Sequence, residues 1–386
     1  MALRSARRSK RRAEESPESG MQPRRTVEET PSLPADPSLP PTTGWLRRGK
    51  DGRLSAYTPG ADGVLRWTET RPGGPEWEGP QLFPSPGVTP SLGVAQGSDG
   101  YVQLVGLRQT RAADGELVTD LAQTLQYQSG RPIRDWSGFG TPYPKDKELA
   151  DRIGRPAAAV DTNGLLHVFI ANACGGVCGR TQHANGRWGK WADLKGSNVQ
   201  GVPAVTLTDA GVMEVVAVSP DRVLRWVQQE PGAAFFDRAD DIEVSAVPGS
   251  VSAERTGRGR LTHFWRDAAT GAVQAWREGM DQPAALGGSG GTGPVALLRT
   301  PVDGHDCTII AQLGRDGRPE LAAYPTEDES AGTVWTATGE PCVGAPALAI
   351  DGNGRVVLAA FGSDGALRVT RQKAETGLAM EAWTVV

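Results

Sequence analysis

Glycine-centred turns recur along this chain at a nearly constant interval, and this repeat restricts the possible folds more than any other feature. Asp-Gly and Asn-Gly pairs, which form five of the seven turns, supply the positive φ that tight hairpin turns require. Successive turns are 45–50 residues apart, except for one interval of 64. The first-turn glycines are Gly52, Gly100, Gly164, Gly211, Gly259, Gly304 and Gly354. Second turns follow 10–15 residues later, near Gly63, Gly115, Gly176, Asp221, Gly271, Gly317 and Gly365.

The segments between these turns have the composition of short β-strands. Runs such as VMEVVAVS at 212–219 and RVVLAAFG at 355–362 are almost continuously apolar, which is typical of strands buried on both faces. Four such strands in each of seven units predict an all-β protein, a seven-bladed β-propeller of four-stranded antiparallel blades. The 50 glycines and 29 prolines recur too often for a helical repeat. The predicted blades span approximately 44–85, 86–152, 153–198, 199–246, 247–290, 291–343 and 344–386.

The two ends of the repeat region and one long unit add detail to this prediction. The first blade begins with an inner strand and the last ends with an outer strand, so we expect the ring to close by blade packing without strand exchange. The second unit is longer than the others, and we assign its extra residues to loops at 127–153 with a helical turn at 146–151. Insertions of this kind often decorate the functional face of a propeller.

The first 42 residues are predicted to be a disordered tail and linker. Six basic and no acidic side chains lie within MALRSARRSKRR, but no apolar segment follows, so we expect no cleaved signal peptide. Prolines at every third position of residues 31–41 favour a polyproline II spacer. The basic cluster is interpreted as a solvated tail, or alternatively as a docking segment for an acidic partner or surface.

Composition and charge exclude several classes of function. The net charge of −4 and the pI near 5.7 give no footprint for nucleic acid, and no apolar run is long enough for a membrane span. The four histidines are scattered, and most acidic residues occupy turns, where Asp is favoured for backbone reasons. We therefore predict a protein that is not an enzyme and that uses no cofactor or metal.

Residues 44–386 resemble the seven-bladed lectins of the PLL type and their tectonin-like relatives. The matching segments are DGRLSAYTPGADGVLRW at 51–67, GRWGKWADL at 186–194 with VPAV at 202–205, and DGNGRVVLAAFGSDGALRV at 351–369. The resemblance implies a non-enzymatic protein that binds glycans, fucose-type sugars among them, in shallow pockets between blades. Some bacterial lectin propellers are targeting subunits of toxin or adhesin assemblies. The alternative function is therefore a protein-interaction propeller in a larger assembly, including an injection-type one, which binds its partner through residues 1–42 or 127–153.

Tryptophans beside polar side chains are the candidate sugar-binding residues. Aromatic rings stack on the C–H face of a sugar while polar groups bind its hydroxyls. Trp-x-x-Trp is complete only in the third blade, where Asn185 and Arg187 flank it. Tryptophans of this kind could instead fill the seams between blades. The candidates are Trp188, Trp191, Asn185 and Arg187, followed by Trp67, Trp226 and Trp77.

Four cysteines suggest disulfides. Cys174 and Cys178 flank a Gly-Gly hairpin turn, where a disulfide is favoured over free thiols or over a zinc site lacking a second ligand pair. The predicted strand register places Cys307 and Cys342 near opposite rims of blade six, so a disulfide between them would contradict that register. Paired cysteines would favour an extracellular or cell-surface location, in conflict with the missing signal peptide.

Overall fold

The computed structural model describes residues 44–386 except positions 61, 86, 114, 234 and 292. These residues form seven four-stranded antiparallel sheets, which confirms the predicted all-β, seven-bladed propeller. Each sheet consists of four consecutive strands in the order in which they follow in the chain. The predicted disordered tail, residues 1–42, lies outside the described residues.

The strands of the first four blades are as follows. Blade one contains β1 (Leu46–Arg48), β2 (Leu54–Gly60), β3 (Gly63–Glu69) and β4 (Trp77–Pro84). Blade two contains β5 (Val88–Gln96), β6 (Val102–Arg111), β7 (Leu117–Gln126) and β8 (Ser137–Gly138). Blade three contains β9 (Ala157–Val160), β10 (Leu166–Ala171), β11 (Val177–Thr181) and β12 (Ala192–Lys195). Blade four contains β13 (Gln200–Leu207), β14 (Met213–Ser219), β15 (Arg222–Gln228) and β16 (Phe236–Arg238).

The remaining three blades repeat the same pattern. Blade five contains β17 (Ser252–Gly257), β18 (Arg260–Arg266), β19 (Val273–Arg277) and β20 (Ala284–Gly287). Blade six contains β21 (Ala296–Val302), β22 (His305–Leu313), β23 (Pro319–Pro325) and β24 (Thr336–Ala337), with a 3-10 turn at Glu329–Ala331. Blade seven contains β25 (Cys342–Ile350), β26 (Val356–Gly362), β27 (Leu367–Arg371) and β28 (Thr384–Val385).

The glycine turns have the backbone conformation that the sequence predicts. All seven first-turn glycines have positive φ, between 68° and 80°. At Gly354 (φ 80°) an added Cβ would meet no neighbouring atom, so this glycine is needed for its conformation and not for space. The second turn of blade three differs from the prediction, because Gly175 (φ 88°), and not Gly176, takes the positive φ.

Apolar side chains fill the seams between neighbouring sheets, and these seams are the core of the protein. At the seam of blades one and seven, the rings of Trp45 and Phe361 lie 4.7 Å apart and pack with Leu54. Trp45 also donates from Nε1 to the carbonyl of Ala345 at 3.1 Å. The first and last blades are joined by side-chain packing of this kind, without an exchanged strand between their sheets.

A buried ion pair crosses the same seam. Arg371 of β27 donates from Nη2 to Glu69 Oε1 of β3 at 2.7 Å and to the carbonyl of Gly74 at 2.7 Å. The Glu69 side chain is 0% exposed and that of Arg371 5%. Ring closure therefore combines apolar packing with a buried ion pair and buried hydrogen bonds.

The insertion of blade two is divided between the two ends of that blade. Residues 127–136 connect β7 to β8, and residues 139–156 connect β8 to blade three. The second part contains α1 (Lys147–Asp151), whose N-terminus is capped by Asp146 through a 3.0 Å hydrogen bond from the Leu149 amide. The predicted helical turn is thus confirmed. It begins at Asp146 because an Asp cap satisfies an amide that the helix itself leaves free.

Candidate functional site

A cavity of about 410 Å³ opens at the seam between blades one and two. Blade one contributes the end of β4 and the residue after it, and blade two contributes β6 and the loop that leads into β8. The described residues that line it are Phe83, Pro84, Ser85, Arg108, Thr110, Ile133, Arg134, Asp135 and Trp136. Its volume lies within the range of about 300–1,000 Å³ that is usual for small-molecule sites.

Two buried polar atoms of this lining have no hydrogen-bond partner among the described residues. They are Ser85 Oγ and Arg108 Nε. Ser85 is only 3% exposed. Arg108 is held in place by Asp120, which accepts from Nη2 at 2.8 Å and also accepts from the Gly140 amide at 2.7 Å. Both atoms are buried, so the polar side chains that a ligand in the cavity can reach are the exposed Thr110, Arg134 and Asp135.

Two aromatic residues line the same cavity. Trp136 and Phe83 are both half-buried, and Trp136 packs against the apolar cluster between the first two blades. At the rim, the exposed Arg134 donates from Nη1 to the Tyr127 hydroxyl at 2.9 Å, and Asp135 is exposed beside it. The cavity therefore combines an apolar aromatic surface, buried hydrogen-bonding atoms and one charge of each sign at its entrance.

The loop that carries Trp136 is fixed by contacts with blade one. Arg53 donates from Nη2 to the carbonyl of Ser129 at 2.8 Å, and Ser129 donates from Oγ to Asp51 Oδ1 at 2.9 Å. Nearer the tryptophan, the Arg134 amide donates to the carbonyl of Leu125 at 3.0 Å. A small turn of blade one thus supports the loop of blade two that lines the cavity.

The sequence-predicted site in blade three is a packed aromatic cluster. Phe139 stacks on Trp188 with centroids 4.1 Å apart, and the Arg180 guanidinium lies 5.7 Å from the centroid of Trp191. Both tryptophans are half-buried in the seam with blade two. Asn185 caps its own turn by accepting the Arg187 amide at 3.0 Å, and both of these side chains are exposed.

The other three predicted tryptophans belong to the seams. Trp67 and Trp226 are 2% and 1% exposed, and Trp226 donates from Nε1 to the carbonyl of Leu194 at 2.6 Å. Trp77 is half-buried against the cluster of blades one and seven. A sugar must reach the ring on which it stacks, and the rings of Trp67 and Trp226 are buried. These two residues therefore fill seams between blades, which was the alternative role considered for them.

Sequence reasoning did not single out Trp136, Ser85 or Arg108. Trp136 lies in an insertion with no second tryptophan at Trp-x-x-Trp spacing, and Ser85 and Arg108 belong to different blades. The one available signal was the insertion itself, which was expected to decorate a functional face. Its first part supplies four lining residues of the cavity, 133–136.

A second cavity, of about 530 Å³, lies between blades six and seven. Its walls are largely aliphatic and include Leu321, Leu378 and Met380, together with Val334, which is 82% exposed. Threonine hydroxyls are the polar side-chain groups of its described lining, and none of these residues is charged. This cavity therefore offers a sugar fewer side-chain hydrogen bonds than the cavity between blades one and two.

All four cysteines are free thiols, so the predicted Cys174–Cys178 disulfide is absent from the structure. Cys178 pairs across the hairpin with Ile170 and is buried in a seam, whereas Cys174 is exposed in the turn. Cys342 is the first residue of blade seven, so the predicted boundary at residue 343 is corrected, and Cys307 lies in a different sheet. The extracellular location that paired cysteines would favour gains no support from these thiols.

Side chains that could bind a metal are dispersed in the described part of the chain. There, no group of three or more His, Cys, Asp or Glu side chains is placed to hold a metal ion. His167, which lies near Cys174 and Cys178 in the sequence, contacts Asp161 Oδ2 at 3.2 Å and Thr181 Oγ1 at 3.0 Å. Among the same residues, none of the helices is long and apolar enough to cross a bilayer.

No protein-family model matches this sequence, and no curated protein matches it either. Among solved structures, the chain is similar to the Hadza microbial sialidase Hz136, with a TM-score of 0.50, 14% identity and coverage of 81% of this chain and 71% of that one. NanB sialidase from Streptococcus pneumoniae is similar with a TM-score of 0.51 and 8% identity, covering 78% of this chain and 68% of that one. The Aleuria aurantia lectin in complex with Fucα1-6GlcNAc has a TM-score of 0.47 and 12% identity, covering 78% of this chain and 97% of that one. These three neighbours are two sialidases and a lectin; the sialidases show the propeller fold, while membership of the PLL-type family stays a prediction.

Proposed function

We propose that this protein is a non-catalytic carbohydrate-binding propeller whose sugar site is the cavity between blades one and two. The observation that carries the proposal is the presence of the Trp136 and Phe83 rings and the exposed polar side chains of Arg134 and Asp135 in the lining of one cavity. A pyranose has an apolar C–H face and an edge of hydroxyls, so it matches a site with aromatic and polar sides. Each hydroxyl both donates and accepts, so it can accept from Arg134 and donate to Asp135.

The same lining favours binding over hydrolysis. Glycosidases generally use two carboxyl groups about 5–9.5 Å apart across the scissile bond. Asp135 is the one carboxylate among the described lining residues, and the neighbouring Asp120 is engaged by Arg108. The comparison with sialidases concerns the fold, so it does not weigh against this proposal.

The position of the insertion supports a sugar site over a protein-interaction role for residues 127–153. Residues 133–136 line the cavity, and Ser129 is tied to blade one. These residues therefore help to build a concave site instead of presenting a free surface to a partner. Residues 1–42, the other segment predicted to bind a partner, lie outside the described residues.

A glycan array followed by calorimetry tests the proposal, with Trp136→Ala and Trp188→Ala as a matched pair. Both tryptophans are half-buried at blade seams, so the two variants share a similar loss of packing. We expect Trp136→Ala to weaken binding about tenfold, which corresponds to the upper part of the range for aromatic contacts, while Trp188→Ala keeps it. Loss in Trp188→Ala alone would move the site to the position predicted from the sequence. A folded wild-type protein that binds no glycan would reject the proposal.

A further inference from the structure

An exposed aromatic surface adjoins the cavity between blades one and two. Arg134, which lines the cavity, donates from Nη1 to the Tyr127 hydroxyl at 2.9 Å, and its guanidinium lies 5.8 Å from the centroid of the Tyr127 ring. Tyr127 directly follows β7, is 44% exposed and lies outside the described lining. The side chain of Arg134 therefore contacts both the cavity and an accessible aromatic ring beyond it.

A second ring and a lysine extend this surface. Tyr101, half-buried at the first turn of blade two, packs against Tyr127 with ring centroids 4.9 Å apart and ring planes at 88°. Lys50, exposed on the first turn of blade one, places its ammonium group 5.7 Å from the centroid of the Tyr101 ring. We call Tyr127, Tyr101 and Lys50 the aromatic platform. Its members come from the same two blades as the cavity and lie outside its described lining.

Tyr127 differs in its position from other exposed apolar residues. A single exposed apolar side chain is normal on a folded protein and does not indicate a binding site. Phe235, the other exposed aromatic residue of the described chain, is 73% exposed between β15 and β16 and lines neither of the two cavities. Tyr127, by contrast, contacts a second ring and a residue of a cavity wall.

The loop between Tyr127 and Trp136 is attached to β7 by backbone hydrogen bonds. The Arg134 amide donates to the carbonyl of Leu125 at 3.0 Å, and Thr124 donates from Oγ1 to the carbonyl of Arg134. A loop attached in this way loses little conformational freedom when a ligand binds, which lowers the cost of binding. The cavity and the aromatic platform are thus presented together to a ligand that is long enough to contact both.

We infer that the glycan bound between blades one and two is an oligosaccharide, with one sugar against Trp136 in the cavity and a following sugar on Tyr127. This inference rests on the proposed carbohydrate function and narrows it from sugars in general to chains of linked sugars. An oligosaccharide repeats an apolar C–H face and a set of hydroxyls, so it matches two aromatic surfaces joined by a polar side chain. Arg134 donates to sugar oxygens near the linkage, and Lys50 donates to a hydroxyl at the far end of the platform.

The test is calorimetry with sugars of increasing length. The probes are methyl glycosides of glucose, N-acetylglucosamine, galactose and mannose, each compared with the disaccharide, trisaccharide and tetrasaccharide of the same sugar. In a series that binds, we expect the longer chains to bind about three- to tenfold more tightly than the single sugar, which is the range for one added aromatic contact. Affinity that does not change with length would overturn the inference and leave the proposed function standing. Binding of no sugar or glycan by the folded protein would overturn both.

Variants assign the gain with length to the aromatic platform. Tyr127→Ala should remove most of the gain while single sugars bind as they do to the wild type, which also shows that the cavity is intact. Tyr127→Phe keeps the ring and loses the hydroxyl that accepts from Arg134, so it should keep the gain. Phe235→Ala removes an exposed ring elsewhere and should change neither affinity. Tyr101→Ala, which leaves the contact of Arg134 with Tyr127 in place, should weaken the trisaccharide and tetrasaccharide alone. A gain that persists in both Tyr127→Ala and Tyr101→Ala, or one that Tyr127→Phe loses as fully as Tyr127→Ala, would overturn the inference.

Discussion

The buried ion pair between the first and last blades provides a quantitative test of how the ring is closed. Replacing Arg371 with Met removes a 2.7 Å hydrogen bond to Glu69, a 2.7 Å hydrogen bond to the carbonyl of Gly74 and a 3.6 Å contact with Asp351. Met fills a similar volume, so the main loss is electrostatic. Breaking a buried pair by removing one partner costs about 3–5 kcal/mol, because the remaining charge stays buried. We expect Arg371→Met to lower the free energy of unfolding by that amount.

Urea denaturation monitored by tryptophan fluorescence measures this loss. Arg222→Met is the matched control, since Arg222 forms a 2.7 Å ion pair with Asp221 while its side chain is 38% exposed, and such pairs contribute about 1 kcal/mol or less. Adding Glu69→Gln to Arg371→Met should recover part of the loss, because the uncompensated carboxylate is then removed. A cost of Arg371→Met no larger than that of the control would refute the reasoning that this contact closes the ring.

Three further predictions concern the core, the acid stability and the thiols. Trp226→Ala should cost about 3–5 kcal/mol in the same urea assay while leaving glycan binding intact, because its buried ring fills a seam; a lost site in a stable variant would contradict this. Burial alone raises the pKa of Glu214, but contacts with His263 (3.1 Å) and Arg225 (2.6 Å) outweigh it and lower the pKa from 4.5 to about 2. The stability that the ionised Glu214 contributes is therefore complete above pH 4.5 and is lost as the pH falls towards 2. The difference in urea midpoint between wild type and Glu214→Gln should narrow over that pH interval. A difference that stays constant would argue against the pairing of Glu214 with His263 and Arg225. A thiol reagent should modify the exposed Cys174 rapidly and the other three cysteines slowly, with four thiols reacting after unfolding; a smaller number would reveal a disulfide.

The repeat and its turns could be predicted from the sequence because they depend on local chemistry. Positive φ at Gly52 or Gly354 is a property of the residue and its immediate neighbours, and an apolar run between two such turns has few alternatives to a buried strand. The helical turn at 146–151 was predictable for the same reason, since Asp146 caps it from within the segment. Errors at this level were small, such as one residue at the second turn of blade three and two at the start of blade seven.

The candidate site could not be predicted in the same way, because the local sequence around a tryptophan does not show whether its ring fills a seam or lines a cavity. Trp226 is enclosed by blade three, whereas Trp136 lies beside a space that blade one leaves open. The partners that decide this are distant in sequence: Arg108 and Ser85 approach Trp136 only once two blades have packed together.

The number of blades and the positions of their turns followed from the period and composition of the sequence alone. The tertiary structure decided which aromatic rings are covered and which cysteines are buried apart from one another. The physical reason is that φ preferences and apolar patterning act within about a dozen residues, whereas burial and pairing depend on what the neighbouring blade presents. The proposed sugar site is a property of the seam between two blades and belongs to neither blade alone.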